Sequence, residues 1–313
     1  MNEQKSVLKI GIAGLGVVGG EVARQLTARG VALGAAAGCA LQLVAVAARD
    51  RTADRGFDAS AMNWVENAAD IPAIDELDII VEMIGGSEGV ALDLVRSALS
   101  AGKHVVTANK ALLAHHGAEL AGLAEENDVG LLFEASVAGG IPAIKTLREG
   151  LAGNEFSRVS GILNGTCNYI LSEMRQTRKE FGLVLKEAQE MGYAEANPAF
   201  DVDGVDTAHK LSILTSLAFG CEVNFDAVHI EGISQISPLD IEFASDIRGK
   251  LYTLQIRAIT CTSKWHPNIQ KSVSNLLPIL KQYLDRVSIR GAEIVGDKAI
   301  FGMMPDWNPA EII

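Results

Sequence analysis

Aromatic residues are scarce in this chain, at 5% of 313 residues, although 48% of the residues are hydrophobic. A core built from Ala, Val, Leu, Ile and Gly suits an α/β enzyme better than an all-β sandwich. Basic residues are also in the minority, because 27 Lys and Arg stand against 39 Asp and Glu. The resulting net charge of −12 argues against a nucleic-acid partner, since phosphate binding needs clustered basic side chains.

Closely spaced cysteines and long apolar runs are also absent. The four cysteines, Cys39, Cys167, Cys221 and Cys261, form no CxxC pair and give no spacing for zinc. We interpret them as reduced thiols in a cytoplasmic protein. No uninterrupted apolar run reaches the ~20 residues that span a bilayer, so we expect no membrane association. The first residues show no cationic segment before an apolar run, and we expect no signal peptide.

Apolar segments alternate with amphipathic segments through the first 140 residues or so. This alternation predicts an α/β fold, a Rossmann-type doubly wound parallel sheet with right-handed crossovers. The first helix is expected to stop at Gly30, with a loop of small residues over 30–40. The predicted strands are VLKIGIAG, LQLVAVAARD, LDIIVEMIGG, GKHVVTANK and VGLLFEASVAGGIPAI, and the predicted helices include GEVARQLTARG and EGVALDLVRSALSAG.

The pattern changes at about residue 140, where mainly helical segments follow one another with little strand between them. This change predicts a second domain. The segments are IPAIKTLREGL, TCNYILSEMRQT, EFGLVLKEAQEMG and DTAHKLSILTSLAFG.

The segment GLGVVG places Gly14, Gly16 and Gly19 in the G-x-G-x-x-G spacing. The first glycine allows a tight turn, the second lets a pyrophosphate approach the backbone, and the third lets the helix pack closely on the strand. The helix N-terminus then supplies N–H donors for the phosphates. Because the pattern lies between a predicted strand and a predicted helix, it predicts a dinucleotide site. A structural glycine turn is the alternative, since 31 glycines make chance matches common.

The second predicted strand runs into Arg49, Asp50 and Arg51. An arginine at this point accommodates the 2′-phosphate of NADP, whereas an acidic residue holds the ribose of NAD. Arg49 comes first, so the sequence favours NADP. Asp50 leaves NAD open, and an exposed charged loop is the remaining interpretation.

Asp206 and Lys210 are four residues apart on a predicted apolar helix and therefore share a face. An ordinary surface ion pair is the simpler interpretation. The carboxylates of Glu195, Asp201 and Asp203 come shortly before, however, and several carboxylates around one ammonium group suit a site that binds a substrate's amine.

Polar residues interrupt apolar sequence at two other places. Lys110 follows a predicted strand, at the end where ligands bind in α/β sheets. In GILNGTCNYIL, Asn164, Thr166 and Asn168 are either ligand contacts or caps of the helix that begins there, and taken alone the cap is favoured.

Together, five segments resemble homoserine dehydrogenase, in that family's order and spacing from about residue 7 to about residue 245. The resemblance implies NAD(P)H-dependent interconversion of L-aspartate 4-semialdehyde and L-homoserine, on the route to threonine, methionine and isoleucine, by a homodimer. The segments are GIAGLGVVGGEV, VVTANKALLA, FEASVAGGIPAI, GILNGTCNYIL and GYAEANPAFDVDGVDTAHKLSILTSLAFG.

The resemblance also implies roles for individual residues. Lys210 would donate a proton to the aldehyde oxygen, and Lys110 would position cofactor and substrate and share the proton transfer. Glu195 and Asp206 would bind the amino group of the substrate. The implied cofactor contacts are Gly14, Gly16, Val17, Val18, Gly19, Arg49, Thr107 and Lys110. The implied ligands of a monovalent cation, usually sodium, are Glu134 and the carbonyls of Val137, Gly139 and Ile141.

With the resemblance, we divide the chain into a dinucleotide-binding domain (1–135), an α+β substrate, catalytic and dimerisation domain (136–247) and an atypical tail (248–313). The tail departs from the family and weakly resembles fragments of phosphoenolpyruvate-synthase-like proteins, in LYTLQIRAIT and MMPDWNPAEII. The alternative function is therefore a catalytically impaired dinucleotide-binding protein whose C-terminal segment is replaced.

Overall fold

A computed structural model describes residues 6–242, together with two short strands at 292–295 and 298–301. The tail predicted at 248–313 thus lies outside the described residues, except for the backbone of those two strands. The chain forms two compact units, and the domain limits drawn from the sequence stay a prediction. The first unit is Met1–Ala152 with Cys221–Asn224, and the second is Gly153–Gly220 with Phe225–Ile313.

A six-stranded parallel sheet forms the centre of the first unit. Its strand order, β3-β2-β1-β4-β5-β6, is that of a dinucleotide-binding sheet and confirms the predicted fold class. The strands are β1 (Val7–Ala13), β2 (Ala40–Ala47), β3 (Asn63–Trp64), β4 (Ile79–Glu82), β5 (His104–Thr107) and β6 (Leu131–Leu132). The helices are α1 (Val17–Ala37), α2 (Val90–Ser100), α3 (Lys110–Glu126) and α4 (Ala143–Lys145), with 3₁₀ turns at Ala68–Ala73 and Glu134–Ser136 and a π turn at Thr146–Gly150.

Alternate residues of the central strands enter different cores, because successive side chains of a strand point to opposite faces. Ile12 packs with Val46 and Val81 on one face. Ala13 and Ile80 pack with the buried side of α2 on the other. Helices cover both faces, which explains why these strands are continuous apolar runs.

Helix α1 does not stop at Gly30, so the predicted loop over 30–40 is wrong. The helix runs on to Ala37 and ends at Gly38, whose left-handed backbone donates a hydrogen bond to the Gly34 carbonyl. Only Arg29 departs from helical geometry, at φ −122° and ψ 15°. Four alanines after Gly30 favour helix enough to outweigh the glycines, which cost about 1 kcal/mol each.

Strand β6 is much shorter than the segment VGLLFEASVAGGIPAI predicted. It pairs with β5 only through Leu131 and Leu132. The chain then turns at Glu134–Ser136, where the Ser136 hydroxyl donates to the Phe133 carbonyl. This local hydrogen bond replaces the strand ladder.

The described part of the second unit, 153–220 and 225–242, is helical, as predicted. Ile170 and Met174 pack against Val184 and Ala188 in its core. Nothing among the helices of the described residues is long and apolar enough to cross a membrane. The helices are α5 (Gly165–Thr177), α6 (Phe181–Glu190), α7 (Ala199–Val202) and α8 (Val205–Phe219), and β7 (Ala292–Val295) pairs antiparallel with β8 (Lys298–Phe301).

Lys103, a buried lysine before β5, stabilises the first unit. Its ammonium donates to the carbonyls of Ile74 (2.8 Å), Asp75 (3.3 Å) and Leu77 (2.8 Å). We expect Lys103→Met to lower the free energy of unfolding by about 2–4 kcal/mol, because it leaves these acceptors without their charged donor. Lys9→Met, at a half-exposed ion pair with Glu76, is the control and should cost under ~1 kcal/mol. Equal losses in urea denaturation would contradict this account.

Candidate functional site

The glycine turn joins β1 to α1, and two of its glycines have no room for a side chain. Gly14 has φ 92°, and a Cβ there would lie 2.5 Å from the Met83 carbonyl oxygen. A Cβ on Gly19 would lie 1.9 Å from the Gly14 oxygen. The first glycine is therefore required by the tight turn against the Met83 backbone, and the third by the close packing of helix on strand.

Gly16 differs from the other two, because a Cβ there would meet no atom within 4 Å. It is the N-cap of α1, and no side chain caps the helix at this point. The first side chains of the helix, Val17 and Val18, are 94% and 56% exposed. The turn thus offers open space at a helix N-terminus, which fits the pyrophosphate of a dinucleotide.

The loop after β2 is tied to this turn by Arg55, which the sequence analysis missed. Its guanidinium donates to the carbonyls of Leu15 (3.1 Å), Ala53 (2.9 Å) and Asp50. Arg49, by contrast, is exposed. The Asp50 carboxylate accepts from the hydroxyl and the N–H of Thr52, and these hydrogen bonds lower its pKa.

A pocket of about 270 Å³ lies beside the glycine turn. The indole of Trp64 forms one wall, with the guanidinium carbons of Arg51 and Arg55 at 5.6 and 5.7 Å from its ring centre. Leu15 of the glycine turn lines the same pocket. Asp54 and Asp58 line the same pocket, so its two cations are matched by two carboxylates. The aromatic ring beside the glycine turn suits the adenosine end of a dinucleotide. Trp64 gave no signal in the sequence, because β3 is only two residues long.

The carboxyl end of β5 carries Thr107, Asn109 and Lys110. Asn109 is a helix cap, since its side-chain oxygen accepts from the Leu112 N–H at 3.1 Å. Lys110 is the first residue of α3 and is half-buried. The Thr107 side chain is buried, and its hydroxyl donates to Glu82 at 2.6 Å. Thr107 therefore directs its side chain into the protein interior.

In the second unit, Asp206 and Lys210 form an ion pair with a 2.7 Å separation, with side chains 5% and 19% exposed. The Lys210 ammonium also donates to the Leu163 carbonyl at 2.7 Å. This burial rules out the interpretation as an ordinary surface ion pair, because exposed pairs are worth little and are rarely held from two sides.

Asn164 serves both as a cap and as part of this cluster, two interpretations that the sequence left open. Its oxygen accepts from the Cys167 N–H at 2.8 Å and so caps α5. Its amide nitrogen donates to Asp201 at 2.7 Å and to Asp206 at 2.9 Å. The amide of Asn164 thus links two carboxylates. Burial, followed by the charges of Asp201 and Asp206, raises the pKa of the Cys167 thiol to about 12.

Glu195 lies in the loop between α6 and α7 and is exposed. Its carboxylate makes no hydrogen bond or ion pair with the side chains of Asp206 and Lys210 in the described part of the chain. Asp206 and Lys210 of the predicted substrate site therefore contact each other, whereas Glu195 is exposed to solvent.

The segment predicted to bind a cation forms a tight turn. The Glu134 carboxylate accepts from the backbone N–H groups of Ile144 (3.0 Å) and Lys145 (2.9 Å). Ala138 and Gly140 have φ values of 54° and 91°, which reverse the chain between Val137 and Ile141. Across residues 6–242, no group of three or more His, Cys, Asp or Glu side chains could hold a metal ion. A cation here would depend on backbone carbonyls.

Comparison with known proteins matches both units. The family model described as "Homoserine dehydrogenase, NAD binding domain" matches residues 14–134, and the one described as "Homoserine dehydrogenase" matches residues 142–295. The homoserine dehydrogenase of Pseudomonas aeruginosa is 41% identical over 305 residues, 96% of this chain and 69% of the relative. That of Neisseria gonorrhoeae is 40% identical over 298 residues, 94% of this chain and 68% of the relative.

Among solved structures, the homoserine dehydrogenase from Thiobacillus denitrificans superposes with a TM-score of 0.71 at 44% identity. The match covers 77% of this chain and 56% of that one. The present chain thus spans about two thirds of those curated relatives and just over half of that solved structure.

The similarity continues past residue 245, where the sequence analysis placed its end, since the family model reaches residue 295. The weak resemblance of the tail to phosphoenolpyruvate-synthase-like proteins stays a prediction. The matches to both units are long, ordered along the chain and well above 30% identity. The chain therefore belongs to the homoserine dehydrogenase family of NAD(P)-dependent oxidoreductases.

Proposed function

We propose that this chain interconverts L-aspartate 4-semialdehyde and L-homoserine by hydride transfer to and from a nicotinamide cofactor. The observation that carries the proposal is the Lys210 ammonium, held mostly buried between the Asp206 carboxylate and the Leu163 carbonyl. Reduction of an aldehyde builds negative charge on its oxygen, and a fixed cation stabilises that charge.

Lys210 donates the proton that the reduced oxygen needs, and takes it back in the reverse direction. Asp206 holds the lysine in place. The Asn164 amide donates to the Asp206 carboxylate at 2.9 Å and so restricts the rotation of that side chain. Glu195 and Asp206 bind the ammonium group of the amino-acid substrate. The exposed carboxylate of Glu195 fits a group that pairs with the substrate rather than with the protein. Lys110 positions the cofactor and the substrate and shares the proton transfer.

The cofactor we propose is NADP, which supplies the hydride when bound in its reduced form. Gly14, Gly16 and Gly19 form the phosphate turn, with Val17 and Val18 exposed beside it. Thr107 ends β5, and Lys110 begins α3. The hydrogen bonds from Thr52 to the Asp50 carboxylate support NADP over NAD, because that carboxylate already accepts from its own loop and not from a ribose. Arg49 lies exposed two residues after β2 and is available to a 2′-phosphate.

Arg49→Ala tests this choice of cofactor. We expect KM for NADP to rise about tenfold, the usual scale for one charge-assisted contact, with KM for NAD within about twofold. Arg29→Ala, on an exposed turn of α1, removes the same charge elsewhere and serves as the control. A wild-type preference for NAD, or equal changes for both cofactors, would remove the phosphate role of Arg49.

We also propose a monovalent cation, sodium, at Glu134 and the carbonyls of Val137, Gly139 and Ile141. The donors fit chemically, because all of them are oxygens, from one carboxylate and three backbone carbonyls. Sodium is a hard cation that prefers such ligands. A homodimer in the cytoplasm completes the proposal and rests on the resemblance alone.

Homoserine-dependent reduction of NADP by the purified chain tests the function. The alternative, a catalytically impaired dinucleotide-binding protein, is not favoured, because the family similarity continues through most of the tail. Turnover supports the proposal, and NADPH binding without turnover at any homoserine concentration would select the alternative.

A further inference from the structure

Glu82, the last residue of β4, is a carboxylate with no exposed surface. A buried carboxylate is costly unless hydrogen bonds replace its water. One of its oxygens accepts from the N–H groups of Ile84 (2.7 Å) and Gly85 (3.0 Å). The other accepts from the Thr107 hydroxyl at 2.6 Å. Glu82 therefore joins the loop after β4 to the end of β5.

These hydrogen bonds continue into a closed ring. The Thr107 oxygen accepts from the Asn109 N–H at 2.9 Å. The Asn109 amide donates to the Gly86 carbonyl at 2.6 Å, which returns the chain of bonds to the loop after β4. Gly85 and Gly86 have φ values of 86° and 85°, a left-handed backbone that glycine adopts without steric cost.

The ring of hydrogen bonds includes Asn109, the residue before Lys110. The same Asn109 side chain that closes the ring caps α3 through the Leu112 N–H. Whatever moves Glu82 or Thr107 therefore moves the cap and the first residue of the helix. The proposed function places Lys110 in the reaction and the Thr107 backbone beside the cofactor.

We propose that Glu82 is a positioning residue, which holds Thr107 and the start of α3 in the geometry that cofactor binding and turnover require. The proposal rests on the proposed function of Lys110. A carboxylate is needed because all three groups that face it are donors. Thr107 has a single O–H, and turning it away from Glu82 would leave that buried hydrogen without its acceptor.

Glu82→Gln tests the proposal, since it keeps the shape and replaces one acceptor by a donor. We expect the dissociation constant of NADPH to rise, and kcat/KM to fall, by about tenfold each, as one misplaced buried hydrogen bond would produce. Glu125→Gln, an exposed glutamate near the other end of α3, makes the same charge change and should leave both values unchanged. NADPH fluorescence titration gives the dissociation constant without turnover, so it tests Glu82 even if homoserine is not the substrate.

Thr107→Val removes the same link from the other side and is the second variant, needed if Glu82→Gln does not fold. In the double variant the losses should equal those of the larger single variant, because both break one ring. Additive losses would overturn the proposal. A folded Glu82→Gln or Thr107→Val with a lower unfolding midpoint but wild-type NADPH affinity and kcat/KM would also overturn it, because Glu82 would then be purely structural.

Discussion

Lys210→Ala is expected to lower kcat for homoserine oxidation by about a hundredfold to ten-thousandfold, the range that general acid–base groups contribute. The dissociation constant of NADPH should stay within about twofold, because the described partners of Lys210 include no residue of the glycine turn. Steady-state kinetics and fluorescence titration separate the two quantities. Lys186→Ala, at an exposed ion pair with Glu190, is the matched control and should keep full activity.

Alanine also leaves the buried Asp206 without its cation, so the same variant loses stability. Lys210→Arg separates chemistry from stability, because arginine keeps the ion pair but stays protonated and transfers no proton. We expect a folded and inactive enzyme. If Lys210→Arg retained more than about a tenth of wild-type kcat, the proton would have to come from another group.

Single glycine-to-alanine substitutions in the glycine turn should affect different properties, stability at Gly19 and NADPH affinity at Gly16. Gly19→Ala puts a methyl group 1.9 Å from the Gly14 carbonyl oxygen and should lower the free energy of unfolding by more than about 4 kcal/mol. Gly16→Ala meets no atom within 4 Å and has an ordinary backbone, so stability should change by less than about 1 kcal/mol. Its methyl group instead occupies the space at the helix N-terminus, and NADPH affinity should fall about tenfold or more.

Gly122→Ala controls for the change of residue, because this glycine of α3 also has no atom near an added Cβ. It should be neutral or slightly stabilising and should not affect NADPH binding. Chemical denaturation and fluorescence titration of the three variants decide the matter. Equal loss of binding in Gly16→Ala and Gly122→Ala would mean that the turn does not receive the cofactor.

Periodic patterns predicted the fold where they were long. Apolar strands alternating with amphipathic helices predicted the parallel sheet, since this pattern has few other solutions. Strand β3 was missed and β6 was predicted too long, because a strand of two residues shows no alternation of apolar and polar side chains. The end of α1 was wrong because Gly30 was taken as a stop, whereas the alanines that follow sustain the helix.

For the site, too, residues with a regular local spacing were predicted and residues with distant partners were not. Asp206 and Lys210 could be placed on one face from helical spacing alone. Asn164 was left between a cap and a ligand contact, because only coordinates show that one side chain makes both kinds of hydrogen bond. Glu82 and Arg55 were not found, since one key partner of each, Thr107 and Leu15, lies 25 and 40 residues away along the chain and no local pattern marks such contacts.

In the proposed reaction, hydride passes directly between the cofactor and the terminal carbon of the amino acid. The purified chain, given L-aspartate 4-semialdehyde and NADPH that carries deuterium at the transferable position, should produce homoserine with a single deuterium on its C4 carbon. Mass spectrometry of the product reads this label. Unlabelled homoserine, or no homoserine while NADPH is bound, would contradict the account.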